Sequence, residues 1–267
     1  KSFVRKVDHP KGEVKIGVVG KYFATGDFVL ADSYLSVIEA IKYSAYHAGK
    51  KPIIEWLTAD DFEGSKTALK KLNKYDGIIV PGGFGARGIE GKLRVIEYCR
   101  THKIPYFGLC YGMQLLVAEY ARNVLGLKGA ITTEIDPKTK YPVVAIMPEQ
   151  QAKLDAGDYG GSMRLGSYPA YLKEGTVARH AYKAEMVHER HRHRYEVNPE
   201  YVSALEKAGL VFSGISPDQK LMEIAELPKS KHPFFLGTQF HPEFLARPLT
   251  SHPLFDAFIK ASINKKK

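Results

Sequence analysis

The chain has 267 residues, of which 44% are hydrophobic, and a formal net charge of +10. This length and composition can bury a substantial core and favour one large α/β domain over two small ones. No segment is apolar enough to span a membrane, and the N-terminus lacks the apolar stretch of a secretory signal, so we expect a soluble cytoplasmic protein. Two cysteines, Cys99 and Cys110, exclude a disulfide framework and a four-cysteine zinc site.

The positive charge raises the question of a polyanionic partner. The lysines are scattered, three of them in the tail 265–267, and no stacking aromatic motif accompanies them. We therefore expect no nucleic-acid partner. A non-catalytic nucleotide-binding or RNA-binding module remains an alternative, because clustered positive charge attracts polyanions.

The first half of the chain alternates short apolar strands with segments whose apolar residues recur at helical spacing. Residues 1–12 show no periodicity and predict a linker from a preceding domain, so the folded domain is expected over 13–267. Asp32 is placed to cap the first helix and Gly49 to end it. The predicted elements are strand 14–20, helix 32–49, strand 52–57, helix 65–73, strand 76–80, helix 92–102 and strand 104–109. This alternation predicts an α/β fold with a central, mostly parallel mixed sheet and helices on both faces.

The second half, from about residue 131, predicts shorter strands and irregular loops. Its clearest strands are 143–147, 221–227 and 234–240, and a terminal helix is expected over 254–263. No internal repeat or low-complexity block interrupts it.

The sequence Gly-Leu-Cys-Tyr-Gly at 108–112 separates a buried strand from an amphipathic segment, 113–125. This predicts a nucleophile elbow, a strained strand-to-helix turn that exposes its central side chain, with flanking glycines that remove side chains that would clash. The helix N-terminus behind Cys110 would stabilise a thiolate and offer backbone N–H groups to an oxyanion. Cys110 is therefore the candidate nucleophile. Cys99 lies within a helical pattern and is interpreted as a core residue.

Two further segments supply the groups that such a nucleophile needs. The glycines of 81–85 (Pro-Gly-Gly-Phe-Gly) follow the preceding strand and would let a backbone amide approach a substrate closely. His241 and Glu243 follow the strand 234–240 and share one side of the chain if it stays extended, so that the carboxylate would orient the imidazole. The chain order Cys-His-Glu then predicts a catalytic triad with His241 as general base and acid.

Two sequences raise the question of a metal site. The His-x-Glu at 241–243 also begins the zinc deaminase signature, but that signature needs a later Cys-x-x-Cys and no cysteine follows Cys110. In the run 189–198 (ERHRHRYEVN), a strand would place His191 and His193 on one side and the arginines on the other. A metal cluster, an RNA patch, an anion site and a solvated strand all remain open for this run. We predict no metal.

Several segments are recognisable together: GVVGKY, SVIEAI, VPGGFGARGIEGK, GLCYGMQ, ARNV, MRLG, ERHRHRYEVN and QFHPEFLARP. Over residues 13–263 the chain resembles the C-terminal glutamine amidotransferase domain of the CTP synthases. The elbow and the His-Pro-Glu sequence alone indicate the wider class I amidotransferases. GGFGARG, MRLG and ERHRHRYEVN are similar to CTP synthases in particular.

The resemblance implies hydrolysis of L-glutamine. Cys110 would attack the side-chain amide, a glutamyl thioester would form as ammonia leaves, and water would release glutamate, with His241 and Glu243 completing the triad. The resemblance implies that Gly83 and Tyr111 donate backbone N–H groups to the oxyanion. The implied glutamine contacts are Gly83, Tyr111, Gly112, Met113, Gln114, Glu134 and Arg194, with Glu134 on the substrate ammonium.

The resemblance also implies partners outside this chain. In the family, ammonia passes to a synthetase domain, where ATP with Mg phosphorylates UTP and ammonia completes CTP. GTP activates the family through a lid to which Phe84 and Arg87 correspond. No Gly-x-x-x-x-Gly-Lys-Ser/Thr phosphate loop occurs in the chain, so we expect no cofactor in this domain and no CTP synthesis by it alone. The full-length family members imply a homotetramer, and the isolated domain is expected to be a monomer.

Two features depart from the family pattern. Tyr111 follows the nucleophile where leucine is usual, and segment 23–31 is longer than the usual connection into the first helix. Rival hypotheses are a cysteine-elbow hydrolase of another γ-glutamyl or peptide substrate, and a regulatory relic whose triad no longer works.

Overall fold

The computed structural model describes residues 2–20, 34–64, 66–147, 150 and 163–265. Segment 23–31 and the predicted cap Asp32 lie outside these residues. The described strands and helices fall close to the predicted ones along the whole first half of the chain, with differences of one to three residues at most ends.

The strands are β1 (Glu13–Gly20), β2 (Lys51–Thr58), β3 (Gly77–Val80), β4 (Tyr106–Leu109), β5 (Ile131–Thr132), β6 (Pro142–Ile146), β7 (Arg164–Leu172), β8 (Met186–His193), β9 (Tyr195–Val197), β10 (Val211–Ile215), β11 (Met222–Glu226) and β12 (Phe235–Thr238). The helices are α1 (Ser2–Asp8), α2 (Leu35–His47), α3 (Lys66–Lys70), α4 (Ile89–Thr101), α5 (Tyr111–Asn123), α6 (Val177–Tyr182), α7 (Pro199–Lys207) and α8 (Pro253–Ile263). Short 3₁₀ turns occupy Ala59–Phe62, Lys71–Lys74 and Pro242–Phe244. Among the described residues, no helix is long and apolar enough to cross a membrane.

Helix α1 lies within the segment 1–12, which the sequence predicts to be a linker; residues 2–8 of it form a helix. The ring of Phe3 lies 6.4 Å from that of Tyr46 and 4.9 Å from that of His47. A seven-residue helix is too short to be stable alone, so this packing against α2 explains why it forms.

The main sheet of the described residues has the strand order β2-β1-β3-β4-β12-β11-β10-β7-β8. Strands β2, β1, β3, β4 and β12 pair in parallel. From β12 onward the neighbours β11, β10, β7 and β8 pair antiparallel. A small second sheet contains β5, β6 and β9. The predicted mixed sheet is confirmed, with its parallel pairs in one half and its antiparallel pairs in the other.

The core lies on both faces of this sheet. Side chains along β3 alternate between two buried clusters, with Ile78 and Val80 in one and Ile79 in the other. The first cluster includes the buried side chains of α4 and α5, and the second includes those of α2 and α8. Helices therefore cover both faces, as predicted.

Register brings the carboxyl ends of three neighbouring strands to one edge. In the β4 and β12 pair, Gly108 is opposite Gly237 and Leu109 is opposite Thr238, while Val80 of β3 is opposite Gly108. The loops that leave β3, β4 and β12 therefore start side by side. Ligands of open parallel sheets bind at such an edge.

Candidate active site

Cys110 occupies the turn between β4 and α5, and its backbone is strained. Its φ of 49° and ψ of −100° lie outside the regions that residues other than glycine normally adopt. The two glycines of the elbow are required by close packing. A Cβ atom at Gly112 would lie 2.2 Å from the carbonyl oxygen of Val80, and one at Gly108 would lie 2.6 Å from the carbonyl carbon of Gly112. The predicted elbow geometry is therefore present.

His241 and Glu243 form a buried pair directly after β12. Nδ1 of His241 donates a hydrogen bond to Oε1 of Glu243 over 2.7 Å. The expectation of an extended chain was wrong, because Pro242–Phe244 forms a 3₁₀ turn. The turn still allows the contact, and the His241 ring also stacks on Phe244 at 4.8 Å between centroids.

The imidazole of His241 interacts with both Cys110 and Glu243. Burial disfavours its charged form, but the two acidic neighbours outweigh that effect and raise the pKa of His241 well above its ordinary value. Its Nε2 has no hydrogen bond of ordinary geometry among the described residues. The contact with Cys110 is thus a close approach rather than a formed hydrogen bond, which is common in catalytic sites without substrate.

Gly82 separates the nucleophile from the base. A Cβ atom at this position would lie 2.9 Å from Cε1 of His241 and 3.7 Å from Cβ of Cys110. Only a residue without a side chain fits there without moving the imidazole. A further neighbour, which sequence reasoning missed, is Gln239: its Nε2 lies 3.7 Å from Sγ of Cys110.

The N-terminal turn of α5 lies beside the thiol. The first N–H groups of a helix have no intrahelical acceptor, so those of Tyr111 and Gly112 are available to a ligand and carry the positive end of the helix dipole. The Gly83 backbone belongs to the loop that follows β3 and lines the same cavity as Cys110. These positions suit the predicted oxyanion role of Gly83 and Tyr111, which remains a prediction.

A cavity of about 770 Å³ opens over the thiol. Of the residues predicted for the site, the cavity is lined by Gly83, Phe84, Cys110, Gln114, Glu134, Arg194, His241 and Glu243. Four others do not line it: Tyr111, Gly112, Met113 and Arg87. Met113 is fully buried, and a Cβ atom at Gly237 would lie 2.8 Å from its side chain, so Met113 packs against β12. Arg87 is exposed and pairs with Asp60 at 3.0 Å.

The cavity also has walls made of residues that were not predicted individually for the site. They come from the start of α2, the loop before β7, the β8 and β9 region and the 3₁₀ turn after β12, namely Tyr34, Leu35, Ser36, Val37, Met163, Arg192, His193, Tyr195 and Phe244. Most of them stand in sequence segments noted above, but no local pattern shows that these segments meet at one cavity. Their approach depends on long-range packing, which only the folded chain reveals.

Glu134 and Gln114 are held by hydrogen bonds within the site. Oε1 of Glu134 accepts a hydrogen bond from the N–H of Gly85 over 2.8 Å. Nε2 of Gln114 donates to the carbonyl oxygen of Tyr195 over 3.1 Å. Carboxylate and amide groups are thereby presented to the cavity together with Arg194, a set that suits the amino and carboxylate groups of an amino acid.

The alternation predicted for the His and Arg run is confirmed. Along β8 the side chains of His191 and His193 are buried, whereas Arg190 and Arg192 are exposed. Burial lowers the pKa of His191 to about 3, so its imidazole stays neutral. Among the described residues, no group of three or more His, Cys, Asp or Glu side chains is placed to hold a metal ion.

An ion-pair cluster lies behind these histidines. Arg164 of β7 contacts Glu196 at 3.3 Å and Glu223 at 2.9 Å, and both carboxylates are fully buried. Nδ1 of His193 lies 3.5 Å from Glu196. Burial together with the neighbouring Glu223 raises the pKa of Glu196 to about 8. The cluster fixes the position of β8 behind the cavity wall.

Comparison with known proteins identifies the family. The family model described as glutamine amidotransferase class-I matches residues 29–261. The chain belongs to the class I glutamine amidotransferases. Within them it is similar to the glutaminase domain of Trypanosoma brucei CTPS, solved with bound acivicin, at 35% sequence identity and a TM-score of 0.85, with 95% of each chain covered. This likeness places it with the CTP synthase glutaminase domains.

Curated relatives agree with this placement. The chain is 52% identical over 267 residues to the CTP synthase of Thermococcus gammatolerans, covering 100% of this chain and 48% of that protein. It is 51% identical over 266 residues to the CTP synthase of Caldanaerobacter subterraneus subsp. tengcongensis, again covering 100% of this chain and 48% of that protein. This amidotransferase chain thus spans about half the length of the curated relatives it matches.

Proposed function

We propose that this amidotransferase domain hydrolyses L-glutamine to glutamate and ammonia through a thioester on Cys110. The observation that carries the proposal is the position of the His241 imidazole, which lies across Gly82 from Cys110 and is bonded to Glu243 at the edge of the cavity. A thiol activated by a base that is itself oriented by a carboxylate is the arrangement used for acyl transfer.

The first half of the reaction forms the thioester. Sγ of Cys110 attacks the side-chain amide carbon of glutamine, and the carbonyl oxygen becomes an oxyanion. This oxyanion accepts hydrogen bonds from backbone N–H groups of the α5 turn and of Gly83. His241 takes the thiol proton of Cys110 and passes it to the amide nitrogen as the C–N bond breaks, and ammonia leaves. Glu243 favours the charged imidazole before that transfer and keeps the ring oriented.

The second half of the reaction returns the enzyme to its starting state. His241, now neutral, removes a proton from water, and the hydroxide attacks the thioester carbon. The C–S bond breaks, His241 returns the proton to Sγ of Cys110, and glutamate is released. Within the cavity, Glu134 pairs with the substrate ammonium and Arg194 with its carboxylate, because each offers the opposite charge.

The ammonia is proposed to serve a synthetase domain that lies outside these 267 residues. Because the CTP synthases it matches are about twice its length, we place it as the glutaminase half of such an enzyme, acting in the amination of UTP to CTP. ATP with Mg and the activator GTP then belong to the full-length enzyme, as does the expected homotetramer. Phe84 and Arg87 are both largely exposed on the loop proposed as the GTP lid.

Affinity labelling tests the proposed function. The protein is incubated with acivicin or 6-diazo-5-oxo-norleucine, with and without L-glutamine, and the adduct is located by mass spectrometry. We expect one adduct, on Cys110, that glutamine suppresses and that Cys110→Ser abolishes while Cys99→Ser does not. An adduct that glutamine fails to suppress would instead support a hydrolase of a different γ-glutamyl or peptide substrate, and no adduct would contradict an activated thiol.

A further inference from the structure

Tyr111 directly follows the nucleophile, yet its side chain does not line the cavity. The ring is 1% exposed, and its hydroxyl group donates a hydrogen bond to the carbonyl oxygen of Gly85 over 3.0 Å. Gly85 lies in the glycine loop, which we define as residues 82–88 between β3 and α4. The side chain that follows the nucleophile therefore contacts the loop and not the substrate space.

Gly85 is held from two sides. Its N–H donates to Oε1 of Glu134 over 2.8 Å, while its carbonyl accepts from Tyr111. Its φ of +75° is a conformation that favours glycine. Gly85 is also two residues after Gly83, the proposed donor to the oxyanion, so the position of Gly85 constrains where the Gly83 N–H points.

Glu134 has two carboxylate oxygens, and only Oε1 is bonded to Gly85. In the proposed function the carboxylate also pairs with the substrate ammonium, and hydrogen bonds between two charged groups are stronger than those to a neutral amide. The position of the carboxylate would then follow the substrate, and its bond to the Gly85 N–H would be the weaker of the two. The bond from Tyr111 uses the opposite side of Gly85 and does not compete with the substrate.

We propose that the Tyr111 phenol is a positioning residue that holds Gly85, and with it the Gly83 N–H, in place while Glu134 binds the substrate ammonium. This inference rests on the proposed function and assigns a role to the one side chain that departs from the family pattern beside the nucleophile. A leucine at this position has no hydroxyl group and could not make the bond.

The surroundings keep the phenol in this role. Burial and the charge of Glu134 both raise the pKa of Tyr111, so the hydroxyl remains a donor at physiological pH. The ammonium group of Lys92 lies 5.3 Å from the centre of the ring and restrains it. At the far end of the glycine loop, a Cβ atom at Gly88 would lie 2.9 Å from that of Ala59, so this end packs closely against the 3₁₀ turn.

The test compares two tyrosines of the same helix in the full-length enzyme. Tyr111→Phe removes the bond to Gly85, and Tyr120→Phe removes an equivalent bond from Tyr120 to the carbonyl oxygen of Ala208, 2.8 Å long and away from the loop. We expect Tyr111→Phe to lower kcat for glutamine about 10-fold with KM within about twofold, as for loss of one hydrogen bond that acts in the transition state. Tyr120→Phe should leave both constants near wild type.

Hydrogen exchange supplies a readout that does not need activity. Amides of residues 82–88 should exchange about 5- to 10-fold faster in Tyr111→Phe than in Tyr120→Phe, since the loop loses a bond. Equal exchange in the two variants overturns the inference. If the wild-type protein shows no glutaminase activity, the proposed function fails, yet faster loop exchange in Tyr111→Phe still supports the positioning of Gly85 by Tyr111.

A third measurement separates the loop from the thiol. Iodoacetamide is a small electrophile that needs no oxyanion donor, so its rate with Cys110 should be the same in wild type and Tyr111→Phe. A rate that falls in parallel with kcat would place the effect on the thiol itself and contradict a role in positioning Gly83.

Discussion

The spacing between nucleophile and base makes Gly82 the most informative position to change. In Gly82→Ala the new methyl carbon would lie 2.9 Å from Cε1 of His241. Carbon atoms in contact prefer separations of about 3.5–4.0 Å, so the ring must move by roughly 0.6 Å or more. The ring is not free to move, because Nδ1 is bonded to Glu243 over 2.7 Å and one face stacks on Phe244.

The expected result is a loss of rate with little loss of stability. A misplacement approaching 1 Å in a catalytic group costs up to about 100-fold, so we expect kcat for glutamine to fall by about 10- to 100-fold. Overpacking of one methyl group costs about 1–3 kcal/mol of unfolding free energy, which a domain of this size survives. Glutamate release and urea unfolding measure the two effects separately.

Gly83→Ala is the matched control. Its Cβ would meet only Cδ1 of Tyr111, at the ordinary distance of 3.9 Å, and neither glycine has a left-handed backbone. The loss in Gly83→Ala should therefore be much smaller than that in Gly82→Ala. If the two variants differed by less than about threefold in kcat, corresponding to about 0.65 kcal/mol, the argument from close spacing would be refuted.

Three further predictions concern titration and reactivity. Glu243→Gln should lower kcat by about 10- to 100-fold, the usual loss for one charge-assisted bond, and should move the alkaline limb of the pH profile to lower pH because the pKa of His241 falls without the carboxylate. Iodoacetamide should label Cys110 alone in the native protein, since Cys99 is fully buried and burial raises the pKa of its thiol, and should label both in urea. Glu196→Gln should flatten a decline in unfolding free energy between about pH 4.5 and 8, because the folded state keeps a proton on Glu196 that the unfolded chain releases.

Each of these predictions has its own control. An unshifted alkaline limb in Glu243→Gln would show that another group sets it. Labelling of Cys99 at the native rate of Cys110 would contradict the burial argument, and Cys110→Ser provides the blank. Glu206→Gln removes an exposed carboxylate and should leave the pH dependence of unfolding as it is in wild type. A decline that persists in Glu196→Gln would assign it to other groups.

Much of the fold could be predicted because the signals were local. The strand and helix alternation up to Asn123 follows from apolar spacing and from glycine and proline punctuation, and the structure confirms these elements. The hairpin of β7 and β8 was predicted only in its second strand, where His and Arg alternate. The first strand, β7, has the sequence RLGSYPAYL, and its role depends on pairing with β8, which begins 14 residues after β7 ends.

The site residues fall into the same two groups, those predictable from local sequence and those that are not. Cys110, Gly82 and His241 lie at the ends of parallel strands, and short sequence motifs predict them. Glu134, Arg192 and Tyr195 reach the cavity from the second half of the chain, where no local pattern could show that they converge. Tertiary packing decides that convergence, and so the contact of Glu134 with Gly85 was not predictable from spacing.

This division has a chemical reason. Parallel strands end together, so groups that must stay within bonding distance throughout a reaction are best placed at their shared edge, where register leaves little freedom. Groups that recognise a substrate need only complementary charge and shape, and they can be supplied by any wall of the cavity. Tyr111 lies where the two sets meet: its backbone belongs to the elbow, and its hydroxyl group bonds to the loop that Glu134 also holds. A substitution of Tyr111 is therefore expected to act on the chemical step through the loop, with kcat lowered and KM nearly unchanged, whereas a substitution of Arg194 acts on recognition.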